Sequence, residues 1–324
     1  MPSKLTIWCN AEFPDAVTAQ LVAGASQHRL IIDEQRAANI NAGGPSASLS
    51  KADVAFGQPD PGQIMELPGL RWIHLTSAGY TRYDRPDLRG ALRMRGAQLT
   101  NSSMVFDEPC AQHLLAFMLA QARQLPQAMA DQLGTHAWIY ERLRPQTRLL
   151  KNQTVLMLGF GAIARRLAQL LEPFHLHLIA VRQTVRGDEP IPVHSIADLD
   201  RLLPAADHIV DVLPSNPSTD RLVDSARFGK MKPGAVFYNI GRGTTVDQGA
   251  LIEALKEGRL AAAYLDVTDP EPLPPDHPLW TCPNCFITPH IGGGHAEEYP
   301  NLVAHFLRNL RRFEVGQPLL DRVV

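Results

Sequence analysis

Thr154-Val155-Leu156-Met157-Leu158-Gly159-Phe160-Gly161-Ala162-Ile163-Ala164 is the stretch whose reading decides the fold. A five-residue apolar run suited to a strand ends in G-x-G-x-x-A, and a helical stretch continues to Phe174. Each small residue has a physical task. Gly159 permits the tight turn. Gly161 lets the backbone approach a pyrophosphate seated on the helix N-terminus, and Ala164 is small where helix meets strand. The motif by itself is weak, because chance turns share it. Strand, turn, helix and next strand in that order make it a dinucleotide-binding signature, with Gly159, Gly161, Ala162 and Ile163 as expected cofactor contacts.

The same alternation runs on toward the C-terminus. Further candidate strands cover 176–181, 208–213, 235–240, 262–267 and 286–288, with helical stretches at 162–174, 196–203 and 248–257. Continuous apolar strands are buried on both faces. Six of them with intervening helices match a doubly wound nucleotide-binding sheet. The N-terminal third repeats the pattern less cleanly, with apolar runs at 5–9, 29–33, 53–57, 72–76 and 98–101. Turn signals such as Ala42-Gly43-Gly44-Pro45 and Gln58-Pro59-Asp60-Pro61-Gly62 separate them, which indicates a second open parallel sheet. Residues 108–123 read as a helix apolar nearly all round, expected to lie between layers or domains. A last helix at 298–313 comes too late for the six-strand unit and is expected to pack back on the N-terminal domain. The expected fold is therefore α/β, with two Rossmann-like or flavodoxin-like doubly wound parallel-sheet domains and a cleft between them. A discontinuous substrate-binding domain would span 1–104 plus 292–324, and a dinucleotide-binding Rossmann domain 105–291.

Bulk properties agree with a two-domain enzyme. At 324 residues the chain exceeds one typical core. A formal net charge of -2 gives no reason to expect nucleic acid or an anionic membrane as partner. Glu12 and Asp15 arrive before the apolar core of a signal peptide could form, and the apolar stretch 114–120 is too short to span a bilayer, so a cytoplasmic protein is expected. Four cysteines, Cys9, Cys110, Cys282 and Cys285, are too few to staple the chain and fit a reducing compartment. Cys282-Pro-Asn-Cys285 is a C-x-x-C with no second half to complete a tetrahedral site, so no metal is expected.

Strand ends are where open α/β sheets bind ligands. The strand after the glycine turn ends at Arg182, 182 − 159 = 23 residues past the first glycine. A carboxylate near this position would take the ribose 2′-hydroxyl of NAD. An arginine instead suits a 2′-phosphate, which favours NADP over NAD. Three further loops leave strand ends. Asn239-Ile240-Gly241-Arg242-Gly243 offers Arg242, which can clamp a carboxylate and polarise a carbonyl. Asp266-Val-Thr-Asp-Pro-Glu271 offers Glu271. Thr288-Pro-His290-Ile-Gly292-Gly293 offers a histidine between a strand end and a glycine run, an acid/base candidate that Glu271 would orient and hold protonated. Leu213, Pro214, Ile240, Gly241, Asp266, Gly292 and Gly293 stand on the same edge and are expected to face the cofactor. Against this, one histidine among 12 is usually structural, Glu271 also reads as an ordinary loop carboxylate, and Arg242 as a helix cap. Their shared sheet edge favours the catalytic reading.

The stretch from Met231-Lys-Pro-Gly-Ala-Val-Phe-Tyr-Asn-Ile-Gly-Arg-Gly243 to Asp247, with Ala250-Leu-Ile-Glu-Ala-Leu255, Gly258-Arg-Leu260, Leu265-Asp-Val267, Glu271-Pro-Leu273, Pro278-Leu-Trp280 and Thr288-Pro-His-Ile-Gly-Gly293, resembles the signature of the D-isomer-specific 2-hydroxyacid dehydrogenases. The similarity is dense from 154 to 293 and thinner in Ser77-Ala78-Gly79 and Gln112-His-Leu-Leu-Ala116. It implies hydride transfer between NAD(P)H and a small 2-keto or 2-hydroxy acid, in the reductase direction on glyoxylate- or hydroxypyruvate-like acids. It further implies that Arg242 binds substrate, His290 exchanges the proton and Glu271 pairs with His290. Ser77, Ala78, Gly79 and Tyr80 would bind substrate, with the amides of Ala78 and Gly79 on its carboxylate, and Asp266 would hold the nicotinamide carboxamide. Dimerisation through the nucleotide domain is implied, and the cysteine spacing becomes incidental. The chain departs from the family pattern at Tyr80-Thr81, Gln112 and Ile240-Gly241, the first of which bears on substrate size. The alternatives are a formate dehydrogenase, disfavoured because those carry Gln where Glu271 stands, and an NAD(H)-sensing corepressor-like binding protein, which would show negligible turnover.

Overall fold

The computed structural model describes residues 4–37 and 43–324. Residues 1–3 of the N-terminal reading and Ala42 of the expected 42–45 turn lie outside the described residues. The chain divides into two compact units, Met1–Phe106 with Gly294–Val324, and Asp107–Gly293. These divisions fall two residues after those expected from sequence. The first lies within the helix Ser103–Ala122.

The first unit holds five strands: β1 (Thr6–Ala11), β2 (Arg29–Ala37), β3 (Val54–Gly57), β4 (Trp72–Leu75) and β5 (Gln98–Thr100). They pair in parallel in the order β2-β1-β3-β4-β5, the flavodoxin-like winding. Alternate residues serve opposite faces. Ile7, Cys9, Val54, Phe56 and Trp72 pack under the helix Glu298–Glu314, while Trp8, Ala55, Ile73 and Leu75 pack under Leu88 and Leu92 on the other side. Phe306 of that last helix stacks on Phe56 at 4.2 Å between ring centroids and on Trp72 at 5.2 Å.

The second unit holds β6 (Thr154–Leu158), β7 (His177–Arg182), β8 (Val193–Ser195), β9 (His208–Asp211), β10 (Ala235–Asn239), β11 (Leu260–Leu265) and β12 (Cys285–Ile287). The order is β12-β11-β10-β9-β6-β7-β8, all parallel. This is the dinucleotide-fold winding extended by one strand. Sequence reading gives six strands; β8 is the omission. It is three half-buried residues at the sheet edge, with no apolar run to mark it. The short helix Ser225–Lys230, capped by Asp224 on the Arg227 amide at 3.0 Å, also escapes the sequence pattern. A second correction concerns the helix Ser103–Ala122. It is not buried all round: Cys110, Ala111, Leu114, Met118 and Ala122 form its buried stripe, while Gln112 and Ala116 are exposed. No helix among the described residues is long and apolar enough to cross a membrane.

Strand order reverses between β6 and β9, the switch point at which such sheets bind ligands. The glycine turn leaves β6 there. A Cβ on Gly159, whose φ of 97° is left-handed, would stand 3.4 Å from the Leu213 side chain that follows β9.

Candidate active site

Gly161 caps the helix Ala162–Leu171, whose Ala164, Leu167, Ala168 and Leu171 lie on one buried face. Gly161 has ordinary negative φ, and no atom comes within 4 Å of where its Cβ would stand. The fold itself therefore does not require a glycine there. The open space above an unsatisfied helix N-terminus fits a pyrophosphate. The Gly159 amide donates to the Val181 carbonyl at 2.9 Å, which sets this turn against the end of β7. Arg182 closes β7, and its Nη1 lies 3.3 Å from Glu189 Oε1.

The loops after β9, β10, β11 and β12 form a continuous row. A Cβ on Gly241 would stand 2.6 Å from the Leu213 carbonyl, and one on Gly243 would collide with the Thr268 carbonyl. A Cβ on Gly292 would stand 2.5 Å from Ile240 and 2.7 Å from Asp266 Oδ2. Gly241 and Gly243 flank Arg242. In the folded chain they let neighbouring loops touch. The Arg242 carbonyl is fastened from below by Asn239 Nδ2 at 3.0 Å and the Thr245 hydroxyl at 2.7 Å. Thr245 is also 2.6 Å from the buried Asp211, whose pKa burial pushes up to about 7. Arg242 Nη1 donates to the Gly241 carbonyl at 2.6 Å, and its remaining guanidinium donors meet no acceptor among the described residues. Burial lowers its pKa, with Glu271 opposing. An arginine keeps its proton regardless.

His290 sits in left-handed backbone, φ 53°, which is uncommon for a residue with a Cβ. Its amide donates to both the Asp266 and Thr288 carbonyls at 2.9 Å. Its Nδ1 lies 2.9 Å from Glu271 Oε2, while Glu271 Oε1 takes the Thr268 amide at 3.0 Å. Nδ1 must donate to the carboxylate, so Nε2 is the nitrogen left to exchange a proton. The Glu271 hydrogen bond raises the His290 pKa above its ordinary value; burial opposes, the Glu271 charge reinforces, Arg242 opposes and Asp266 adds to the rise. Burial alone would raise the Glu271 pKa, but the His290 and Thr268 hydrogen bonds leave it lowered.

Asp266 anchors this arrangement. Its buried carboxylate accepts from the Thr288 hydroxyl at 2.6 Å and from the Ile291 and Gly292 amides at 2.9 Å. The carboxamide role expected from the resemblance would add a further donor to these three. His113 Nε2 lies 3.1 Å from the Thr288 hydroxyl, and burial lowers its pKa. Cys110, a neutral thiol pushed up to about 12 by burial, lies in the electrostatic field of Arg242 and Asp266. Asp211, Thr245 and Cys110 are site neighbours to which sequence reading gives no role, and it quotes His113 and Thr288 in motifs without giving them one.

In the first unit, Ser77–Tyr80 follow β4. The Ser77 hydroxyl donates to the Gly79 carbonyl at 2.6 Å and takes Gln58 Nε2 at 3.1 Å; Asn101 Nδ2 holds the Ala78 carbonyl at 2.6 Å. The amides of Ala78 and Gly79 donate to no group among the described residues. Tyr80 packs in part against its own domain core, with the Arg89 guanidinium 6.0 Å from its ring centroid. Trp138 is 93% exposed. Cys282 and Cys285 are free thiols that pack with the core of the second sheet.

The family model described as D-isomer specific 2-hydroxyacid dehydrogenase, NAD binding domain, matches residues 115–292. Glyoxylate/hydroxypyruvate reductase B of Escherichia fergusonii is 33% identical over 284 residues, 86% of this chain and 83% of that one. The NADPH-dependent glyoxylate/hydroxypyruvate reductase of Sinorhizobium meliloti, solved with NADP and malonate, superposes with a TM-score of 0.75 at 26% identity, covering 99% of this chain and 97% of that one. A D-isomer specific 2-hydroxyacid dehydrogenase from Xanthobacter autotrophicus Py2, solved with NADPH and MES, gives a TM-score of 0.82 at 25% identity, covering 99% and 98%. The chain belongs to the D-isomer-specific 2-hydroxyacid dehydrogenase family. It is an NAD(P)-dependent oxidoreductase that moves a hydride between the nicotinamide cofactor and a small 2-keto or 2-hydroxy acid.

Proposed function

We propose that the chain reduces glyoxylate- or hydroxypyruvate-like 2-keto acids with NADPH, and that Arg242, His290 and Glu271 carry the chemistry. The observation behind this reading is the 2.9 Å His290–Glu271 pair on the same sheet edge as a half-buried Arg242 with unused donors. NADPH, when bound, supplies the hydride. Arg242 binds the substrate carboxylate and keto oxygen and stabilises the charge that develops on that oxygen. His290 Nε2 gives its proton to the same oxygen, which becomes the hydroxyl, and the imidazole is reprotonated from solvent. Glu271 holds the ring in the tautomer and orientation this needs. The unused Ala78 and Gly79 amides are proposed as carboxylate ligands, with Ser77 and Tyr80 beside them. In this reading 1–104 with 292–324 is the substrate-binding domain and 105–291 the cofactor domain. Gly159, Gly161, Ala162, Ile163, Leu213, Pro214, Ile240, Gly241, Asp266, Gly292 and Gly293 line the cofactor.

Arg182 at the end of β7 supports NADP over NAD, and NADP or NADPH in the two solved relatives is in keeping with it. A cytoplasmic homodimer is proposed. Leu133 at 81% and Leu149 at 71% exposure, with Trp138 between them, are apolar surface on the cofactor unit that a second copy would cover. The decisive experiment follows cofactor absorbance across a panel of 2-keto acids with NADPH and NADH. Turnover of small 2-keto acids that prefers NADPH and is lost in Arg242→Ala is the expected result. Wild-type turnover in Arg242→Ala would sink the assignment, and a clear NADH preference would sink the cofactor reading.

A further inference from the structure

Glu189 occupies an anion cradle at the end of β7. Its Oε1 takes the Arg186 amide at 2.9 Å and lies 3.3 Å from Arg182 Nη1, and its Oε2 takes the Gly187 amide at 2.8 Å. The two amides are consecutive, and Gly187 has a left-handed φ of 86°. Successive N–H groups in such a turn form a concavity that binds anions. The Glu189 side chain is only 4% exposed although the surrounding loop is at the surface. The cradle lies next to the phosphate-binding turn, because Gly159 donates to Val181, the residue before Arg182. Two amides and a guanidinium converging on one carboxylate are the donor set that a phosphate monoester would use. Both anions compete for the same N–H groups and the same positive charge.

We propose that Glu189 is a built-in competitor for the cofactor 2′-phosphate: its carboxylate and that phosphate claim the same Arg182 cradle, so Glu189 must leave when a phosphorylated cofactor binds. Glu189 thereby sets how strongly the site prefers NADPH over NADH. This inference rests on the reading of Arg182 as the 2′-phosphate ligand, so the test separates the two. Binding is measured by nucleotide fluorescence and by calorimetry with NADPH, NADH, 2′,5′-ADP and 5′-AMP, without any turnover. Removing one charge-assisted competitor in Glu189→Gln and Glu189→Ala is expected to tighten NADPH and 2′,5′-ADP by roughly tenfold, about the effect of one such hydrogen bond. NADH and 5′-AMP should change less than about twofold in the same variants, since neither carries the competing phosphate. NADPH affinity that stays the same or falls in both variants would show a carboxylate that merely shapes the loop, and would overturn the proposal. Loss of NADH affinity alone would assign Glu189 to the ribose hydroxyl and overturn it equally. Arg182→Ala is the control: if it binds 2′,5′-ADP as the wild type does, the cofactor reading itself has failed. If Arg182→Ala loses that binding while the Glu189 variants leave it unchanged, only the competitor role has failed.

Discussion

At the scale of single residues the site is a set of charges placed to hold one proton. The Glu271 hydrogen bond raises the His290 pKa, so the imidazolium persists above its ordinary range. In the proposed mechanism keto reduction consumes that proton. The reductive rate is therefore expected to be level below the His290 pKa and to fall as pH rises through it. Glu271→Gln removes the partner, lowers that pKa and should move the falling limb to lower pH, read in a profile of kcat against pH. A limb that does not move would separate Glu271 from the proton. His290→Gln should cost at least ~10²-fold in kcat with NADPH binding retained, as expected for loss of a general acid. The placement of these two residues and Arg242 on one sheet edge is legible in sequence, because each follows a strand and borders glycine or proline. Asp211, Thr245, Cys110 and His113 are not. Their partners are distant in sequence: Asp211 and Thr245 are 34 residues apart, His113 and Thr288 175. Only the folded sheet brings them together, and no local pattern announces such a pair.

At the scale of elements, the catalytic edge is a row of loops seated against one another through glycine. Gly243 is the tightest seat, since a methyl group there would enter the Thr268 carbonyl. Gly243→Ala should displace the loop that carries Arg242 relative to the one that carries Glu271. We expect a loss of stability of about 1–3 kcal/mol, typical of overpacking, and a kcat loss larger than any change in NADPH affinity. Chemical denaturation and steady-state kinetics check both; a variant with wild-type kcat would mean that the seat does not position Arg242. Strand reading from sequence works where buried runs are long, as in β6, whose limits Thr154 and Leu158 match its apolar run. It fails for β8, since three half-buried residues at an edge need no apolar signature. The helix Ser103–Ala122 shows the converse limit, for its composition is apolar on faces that are not all buried.

At the scale of the molecule, the two units have separate cores. Phe306 is the keystone of one of them, stacked on Phe56 and Trp72. Phe306→Ala should destabilise that unit by about 3–5 kcal/mol, the usual cost of removing a buried phenyl ring. The cofactor unit should be spared: NADPH titration in mild urea is expected to give the wild-type dissociation constant while the first unit's tryptophan signal is already lost. Simultaneous loss of both signals would mean that the units unfold as one. Sequence reading expects a discontinuous first domain because a helix left over after the sixth expected strand has no place in the nucleotide sheet. Its partners on the first sheet were not readable, because their contact depends on ring geometry rather than periodicity.

The same aromatic stack has a consequence for how the chain is made. Phe306 follows Phe56 by 306 − 56 = 250 residues, so the ribosome must complete the whole nucleotide sheet before the helix that covers β3 and β4 emerges. Until then Phe56 and Trp72 lack their lid. At roughly 5–20 residues per second, that face waits on the order of 10–50 seconds, while the inserted unit can already close its own sheet. Over that interval the nascent chain carries an uncovered aromatic surface on β3 and β4. Chaperone dependence should concentrate there, on a sheet whose covering helix arrives only after the inserted unit.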